Sequence, residues 1–301
     1  MFIGHAAALL SIITPSFVEK NYHRAVAITI DDLPYVGASK DFKLVMSNTI
    51  KLLDPLRKAK IPVTGFVIGG GFDSFTPDQK HQLYRVWLSS GAQLGNHTWT
   101  HANLDQVGLE KYEEEILRTD ADLKKFAGQS SNRYFRAPYL NDGKDLATKS
   151  ALKTFLTQHH FVEAPVTLDS DEYKFAGPYD DALNAHNELL AKRIEEAYVP
   201  YWRSLVIGFE KGSKKLFGHE CAQIYLIHAN RLTANTIPRL IQMFHDRGYQ
   251  FISLNQALKD PVYRTPDLYV GSGGYSWLYR WLNQKGIQPG PWIEPPSWLR
   301  K

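Results

Sequence analysis

The chain has 301 residues, 44% of them hydrophobic and 22% charged, the profile of a globular protein with ample material for a core. Its 35 basic and 31 acidic residues leave a net charge of only +4, and Lys and Arg are scattered without a basic stripe, so a nucleic-acid partner is not indicated. The single cysteine, Cys221, excludes an internal disulfide and any cysteine-rich zinc site, and no stretch is long and apolar enough to span a bilayer.

Residues 6–13 form an apolar run like the core of a secretory signal, without a basic start or a clear cleavage site. A shortened signal peptide, with an extracellular or periplasmic protein behind it, and an ordinary first segment, with a cytoplasmic one, both fit. Residues 25–30, Ala-Val-Ala-Ile-Thr-Ile, are a β-branched run of buried-strand length that gives way to Asp31, Asp32, Leu33 and Pro34, where proline stops the strand. Neighbouring side chains on a regular strand face opposite ways. The two aspartates therefore share a site only where the strand opens into a loop; a plain turn is the other reading.

Residues 41–60 have Leu44, Ile50, Leu53 and Leu56 at helical spacing, and residues 61–68 read as a second strand. Gly69, Gly70 and Gly71 form a loop and not a phosphate cradle, since no Lys-Ser/Thr follows and the spacing is not GxGxxG. Thr76 caps a helix running to about residue 88, with Pro77 at its first position. A short strand at residues 91–94 leads to His97 and His101, four apart, whose rings can reach one divalent cation from the same side. The chain has 11 histidines, so a third ligand must be found elsewhere.

Residues 109–126 read as a helix. Arg136 then stands among aromatics and a proline, packed on a ring or aimed at a carboxylate. A helix at residues 144–156 and a strand at 161–168 lead to the acidic run Asp169 to Glu172, followed by Tyr173. Residues 179–198 look helical and residues 211–220 like a polar connection. The strand at 221–227 delivers His228 at its end, with Cys221 as a small buried hydrophobe. Residues 237–246, 249–253 and a last short helix complete the alternation. The end of the chain carries Tyr269, Tyr275, Trp277, Tyr279, Trp281, Trp292 and Trp298, read as packing over the core in preference to a platform for sugar rings.

Strand-then-helix repeats without a linker argue for one domain with parallel strands, an α/β barrel or doubly wound sheet. Asp31, Asp32, His97, His101, Arg136, Glu172 and His228 all follow strands, which in a parallel barrel means one common rim.

In order, Thr29-Ile30-Asp31-Asp32, His97 to His101, Arg136-Ala137-Pro138-Tyr139, Asp169 to Tyr173 and Leu226-Ile227-His228 resemble the five motifs of the polysaccharide deacetylases, the NodB-like enzymes of carbohydrate esterase family 4. The resemblance implies an α/β fold, a distorted (β/α) barrel of fewer than eight regular strands, with the catalytic domain at residues 25–259 and an aromatic tail at 260–301. It implies one divalent metal ion, zinc with cobalt or nickel as alternatives, held by Asp32, His97 and His101. Asp31 would be the general base and His228 the general acid. Arg136 would orient Asp31, Glu172 or its neighbour Asp171 would orient His228, and the Tyr139 N–H would bind an oxyanion. The implied reaction removes N-acetyl groups from a carbohydrate substrate of the chitin-oligomer or peptidoglycan type, releasing acetate. Two other readings stand beside it: a carbohydrate-binding protein that has lost catalysis, and an amidase of small non-sugar amides. The chain departs from the pattern at Glu172-Tyr173, where Asp-Trp is usual, at Leu140, where glycine is usual, and at Ala229-Asn230, where an aspartate is frequent. Oligomeric state is not legible.

Overall fold

The computed structural model describes residues 24–37, 39–128, 133–290 and 292–299; the apolar run at residues 6–13 lies outside them. Seven strands are found among the described residues: β1 (Ala25–Leu33), β2 (Val63–Val67), β3 (Gln93–Asn96), β4 (Arg133–Phe135), β5 (Phe161–Glu163), β6 (Gln223–His228) and β7 (Gln250–Phe251). They alternate with helices α1 (Phe42–Lys58), α2 (Pro77–Ser89), α3 (Leu104–Val107), α4 (Leu109–Ala127), α5 (Leu146–Gln158), α6 (Tyr173–Asn184), α7 (Glu188–Phe217), α8 (Arg231–Asp246), α9 (Leu254–Ala257) and α10 (Trp277–Gln284). Every strand pair is parallel, in the order β5-β4-β3-β2-β1-β6, with β7 against the start of β1. The β-branched run thus becomes the sheet's inner strand, with Val26, Ile28 and Ile30 buried.

β5 stops five residues short of the expected 161–168 because Pro165 has no N–H to continue a ladder. The chain leaves β4 there and turns to β6. The Thr167 and Leu168 N–H groups donate to the Ile224 carbonyl, both at 3.0 Å, and the Leu226 N–H returns to Leu168 at 3.1 Å. This short bridge brings the sheet's two ends together without a full ladder, which is the distortion of the barrel.

The helix expected at residues 179–198 is two helices. The Asn187 side chain accepts the Leu190 N–H and starts α7, which runs 30 residues and takes in most of the stretch expected as a polar connection. Its buried positions Ile194, Tyr198, Tyr201, Trp202, Leu205, Phe209 and Ser213 keep helical spacing throughout, while Lys211, Lys214 and Lys215 occupy the outer face. The expected cap of α2 is present as a full capping box between Thr76 and Gln79. Near the C-terminus, Trp277 and Trp281 of α10 are buried, and the Trp277 N–H donates to Val166 at 2.7 Å, so these rings pack on the barrel. No helix among the described residues is long and apolar enough to cross a membrane.

The glycine run forms a 3-10 turn, Gly69–Phe72, docked under the histidine loop. The Gly69 N–H donates to Thr98 at 3.1 Å and the Gly70 N–H to Trp99 at 2.7 Å. A Cβ at Gly69 would lie 2.4 Å from the Trp99 ring, so the run is small because the loop sits on it. Gly69→Ala should therefore destabilise the protein by about 1–3 kcal/mol, the usual cost of overpacking, read as a lower urea midpoint; an unchanged midpoint would show that the ring moves aside freely.

Candidate active site

Both aspartates after the first apolar run lie within β1, not beyond it. Between Ile30 and Leu33 the strand carries one residue more than its partner β2, while Asp31 stays in register with His228 of β6. This bulge puts Asp32 at φ 63° and turns its carboxylate to the same side as that of Asp31. The shared site arises from an extra residue in the ladder, where a loop opening was expected.

His97 and His101 lie on the loop after β3, with Thr98 at φ 65° and His101 at φ 58°. Buried polar residues fix this loop. Asn96 accepts the Thr98 N–H at 2.9 Å and donates to the Ile116 carbonyl at 2.7 Å, and Glu115 of α4 accepts the Thr100 N–H at 2.9 Å. No motif marks Asn96 or Glu115 in the sequence; for Glu115, a carboxylate on the buried side of an amphipathic helix is the available signal. His97 Nδ1 lies 2.8 Å from the Arg136 carbonyl, so Nδ1 carries the proton and Nε2 presents its lone pair. The Nε2 atoms of His97 and His101 each lie 3.4 Å from Asp32 Oδ1.

These three residues bring their ligand atoms within 4.8 Å of one another, and Asp32 Oδ1 is buried without a hydrogen-bond partner. A buried carboxylate oxygen facing imidazole lone pairs is unfavourable unless a cation joins them. Two neutral imidazoles and a carboxylate also form the donor set of a catalytic zinc site, so the residues fit the implied metal. Burial opposes ionisation of Asp32, but the contact with His97 and the neighbouring imidazoles hold it well below the usual carboxylate range. Burial, with His97 beside it, pushes His101 down to about 4 and leaves it neutral for ligation at neutral pH.

On one side of this group, Arg136 Nη1 bonds Asp31 Oδ1 at 2.8 Å, with both residues buried. On the other, His228 Nδ1 lies 3.5 Å from Glu172 Oε2, an ion-pair distance. Asp171, the alternative partner, is turned away to Lys174 at 2.9 Å and to the Trp292 indole at 2.8 Å. Burial pulls the His228 ring down, but Glu172, helped by Asp32 and Asp31, outweighs it and raises the ring to about 10. A cavity of about 430 Å³ connects Asp31, Asp32, both loop histidines and His228. Tyr139, 55% exposed, and Tyr173, 67% exposed, border it, and the Tyr139 ring packs edge-on to His101 with centroids 4.4 Å apart. Tyr139 and Leu140 form a left-handed turn at φ 58° and 52°. Asp169, in sequence one member of an acidic run, also lines the cavity; burial raises it to about 6 although the Ser170 N–H is 2.7 Å away.

The chain matches the polysaccharide deacetylase family over residues 19–155. It is 31% identical over 212 residues to a chitooligosaccharide deacetylase of Sinorhizobium fredii, covering 69% of this chain and 84% of that protein. With a peptidoglycan-N-acetylglucosamine deacetylase of Bacillus cereus it shares 29% identity over 154 residues, 51% of this chain and 48% of that one, so it spans about half of that relative. A solved CE4 family pseudoenzyme from Bacillus anthracis superposes with a TM-score of 0.53 at 14% identity, over 79% of this chain and 66% of that chain, a likeness of fold.

The buried pair carries its own prediction. Arg136→Met keeps the volume but strands the Asp31 carboxylate, and should cost about 3–5 kcal/mol in denaturant unfolding; a loss below 1 kcal/mol would mean that Asp31 finds other partners.

Proposed function

Since the chain belongs to the polysaccharide deacetylase family, we propose that it hydrolyses N-acetyl groups on an N-acetylated sugar polymer or oligomer of the chitin or peptidoglycan type, releasing acetate. The signal-like run at residues 6–13 and the cell-wall polymer in the name of the Bacillus cereus relative favour an extracellular or periplasmic protein. The observation that carries the reading is the unpartnered Asp32 oxygen between two imidazoles, flanked by a carboxylate tied to arginine and an imidazole tied to a carboxylate.

Asp32, His97 and His101 would hold one divalent metal ion, zinc in first place. Bound there, the ion would supply Lewis-acid polarisation and lower the pKa of water. Asp31, held in place by Arg136, takes a proton from the attacking water. His228, held by Glu172 and protonated at neutral pH, gives a proton to the departing sugar nitrogen. The Tyr139 N–H donates to the oxygen on which negative charge develops as the carbonyl becomes tetrahedral, and the exposed rings of Tyr139 and Tyr173 offer flat faces to the sugar.

Acetate release from chitin oligomers and peptidoglycan, measured beside zinc titration calorimetry, tests this. Asp32→Asn should lose zinc binding and turnover together. Asp31→Asn should keep zinc and lose about 100-fold or more in kcat. Full turnover by a metal-free preparation would end the proposal. Glu172→Gln bears on the acid. It removes the carboxylate that raises His228, so the ring loses its proton at lower pH and the alkaline limb of the kcat/KM profile should move toward neutrality. A limb that stays in place would separate Glu172 from the acid's function.

A further inference from the structure

The left-handed turn at Tyr139 and Leu140 is gripped from the far end of the chain. Arg280 of α10 donates through Nη2 to the Leu140 carbonyl and through Nε to the Tyr275 carbonyl at 2.9 Å. Its Nη1 lies 3.2 Å from Asp142 and 2.6 Å from Asp267, and the guanidinium stacks on Trp277 at 3.8 Å while the residue is 1% exposed. Lys149 ties the same two carboxylates, at 2.8 and 2.6 Å. A second contact is independent of charge. A Cβ at Gly274 would lie 2.2 Å from the Leu140 carbonyl oxygen and 2.4 Å from that of Tyr139, and Gly274 itself borders the catalytic cavity.

The turn is closed on its inner side by Leu140 N–H to Ala137 and Asn141 N–H to Pro138, both at 3.0 Å. With the two carbonyls pinned from outside, little freedom is left in the direction of the Tyr139 amide. We propose that Arg280 and Gly274 are positioning residues for deacetylation: the C-terminal segment braces the turn so that the Tyr139 N–H and ring face Asp32 and the two loop histidines. This rests on the function proposed above, in which that N–H donates to the tetrahedral oxygen. The oxyanion donor is thereby set by a segment outside the strand–helix repeats.

Gly274→Ala leaves every charge in place, and Arg280→Lys keeps a cation beside Asp142 and Asp267 while losing the planar fork that reaches Leu140. In the full chain, both variants should lower kcat for acetate release by about 10- to 100-fold, the scale of a misplacement near 1 Å, with KM and zinc affinity within about twofold of the parent. Hydrogen–deuterium exchange should quicken at residues 139–141 and stay unchanged at residues 97–101. Unchanged kcat in both variants overturns the proposal, as does zinc affinity falling in step with kcat, which would mean general collapse of the site. If the parent chain released no acetate, the proposed function would fall, while the exchange data would still decide the brace: equal exchange at residues 139–141 in parent and variants overturns it.

Discussion

One guanidinium, sealed inside the barrel, holds the site's two halves to each other. Arg136 bonds Asp31 at 2.8 Å and Thr29 at 2.7 Å, reaches the Ala164 carbonyl at 3.1 Å, and lies on the Phe66 ring at 4.3 Å. Through its backbone it accepts from His97 Nδ1 and donates to Asn96. A single residue thus fixes the carboxylate proposed as base, sets the tautomer of a proposed metal ligand, and ties β1, β3 and the segment after β5 together. Removing such an ion from water costs several kcal/mol, offset here because the donors that the structure describes find acceptors. A lysine, with a point charge on a flexible stem, could not serve all these directions at once.

The two ionisable pairs have opposite character. Asp31 faces the Arg136 guanidinium and His228 the Glu172 carboxylate, which sets the proposed base and the proposed acid in opposite surroundings across one cavity. Two departures from the family pattern meet here. Glu172, one methylene longer than the usual aspartate, accepts from Asn230 at 2.5 Å and Thr233 at 2.8 Å, and Asn230 belongs to the Ala229-Asn230 step where an aspartate is frequent. Asn230 also caps α8 by accepting the Thr233 N–H at 2.8 Å. An aspartate at position 230 would set a second negative charge against Glu172; the amide supplies a donor instead.

Much of this could be read along the chain because its signals are local. A β-branched run makes a buried strand, threonine before proline starts a helix, and in a parallel sheet polar residues after strands gather at one rim, so Asp31, His97, Arg136 and His228 meet. What escaped reading depends on partners far away in sequence. The bulge at Asp32 exists only relative to β2, and the bridge at Leu168 only relative to β6. The glycine run is explained by a tryptophan on another loop, and the grip of Arg280 on Leu140 spans 140 positions. The extent of α7 is the exception: its buried spacing continues through Phe209 to the small Ser213, and the lysines on its outer face hide it.

Among the described residues, eight other than glycine have a left-handed backbone. Lys60, His160 and His186 each lie just past a helix end, where that conformation ends helices routinely. The other five, Asp32, Thr98, His101, Tyr139 and Leu140, belong to three separate loops and bulges that converge on a single cleft. Each such torsion costs an L-residue about 1–2 kcal/mol. Free energy that would otherwise have gone into thermal tolerance is therefore stored as pre-alignment, and a map of backbone angles alone, blind to side-chain chemistry, would lead to the same cleft.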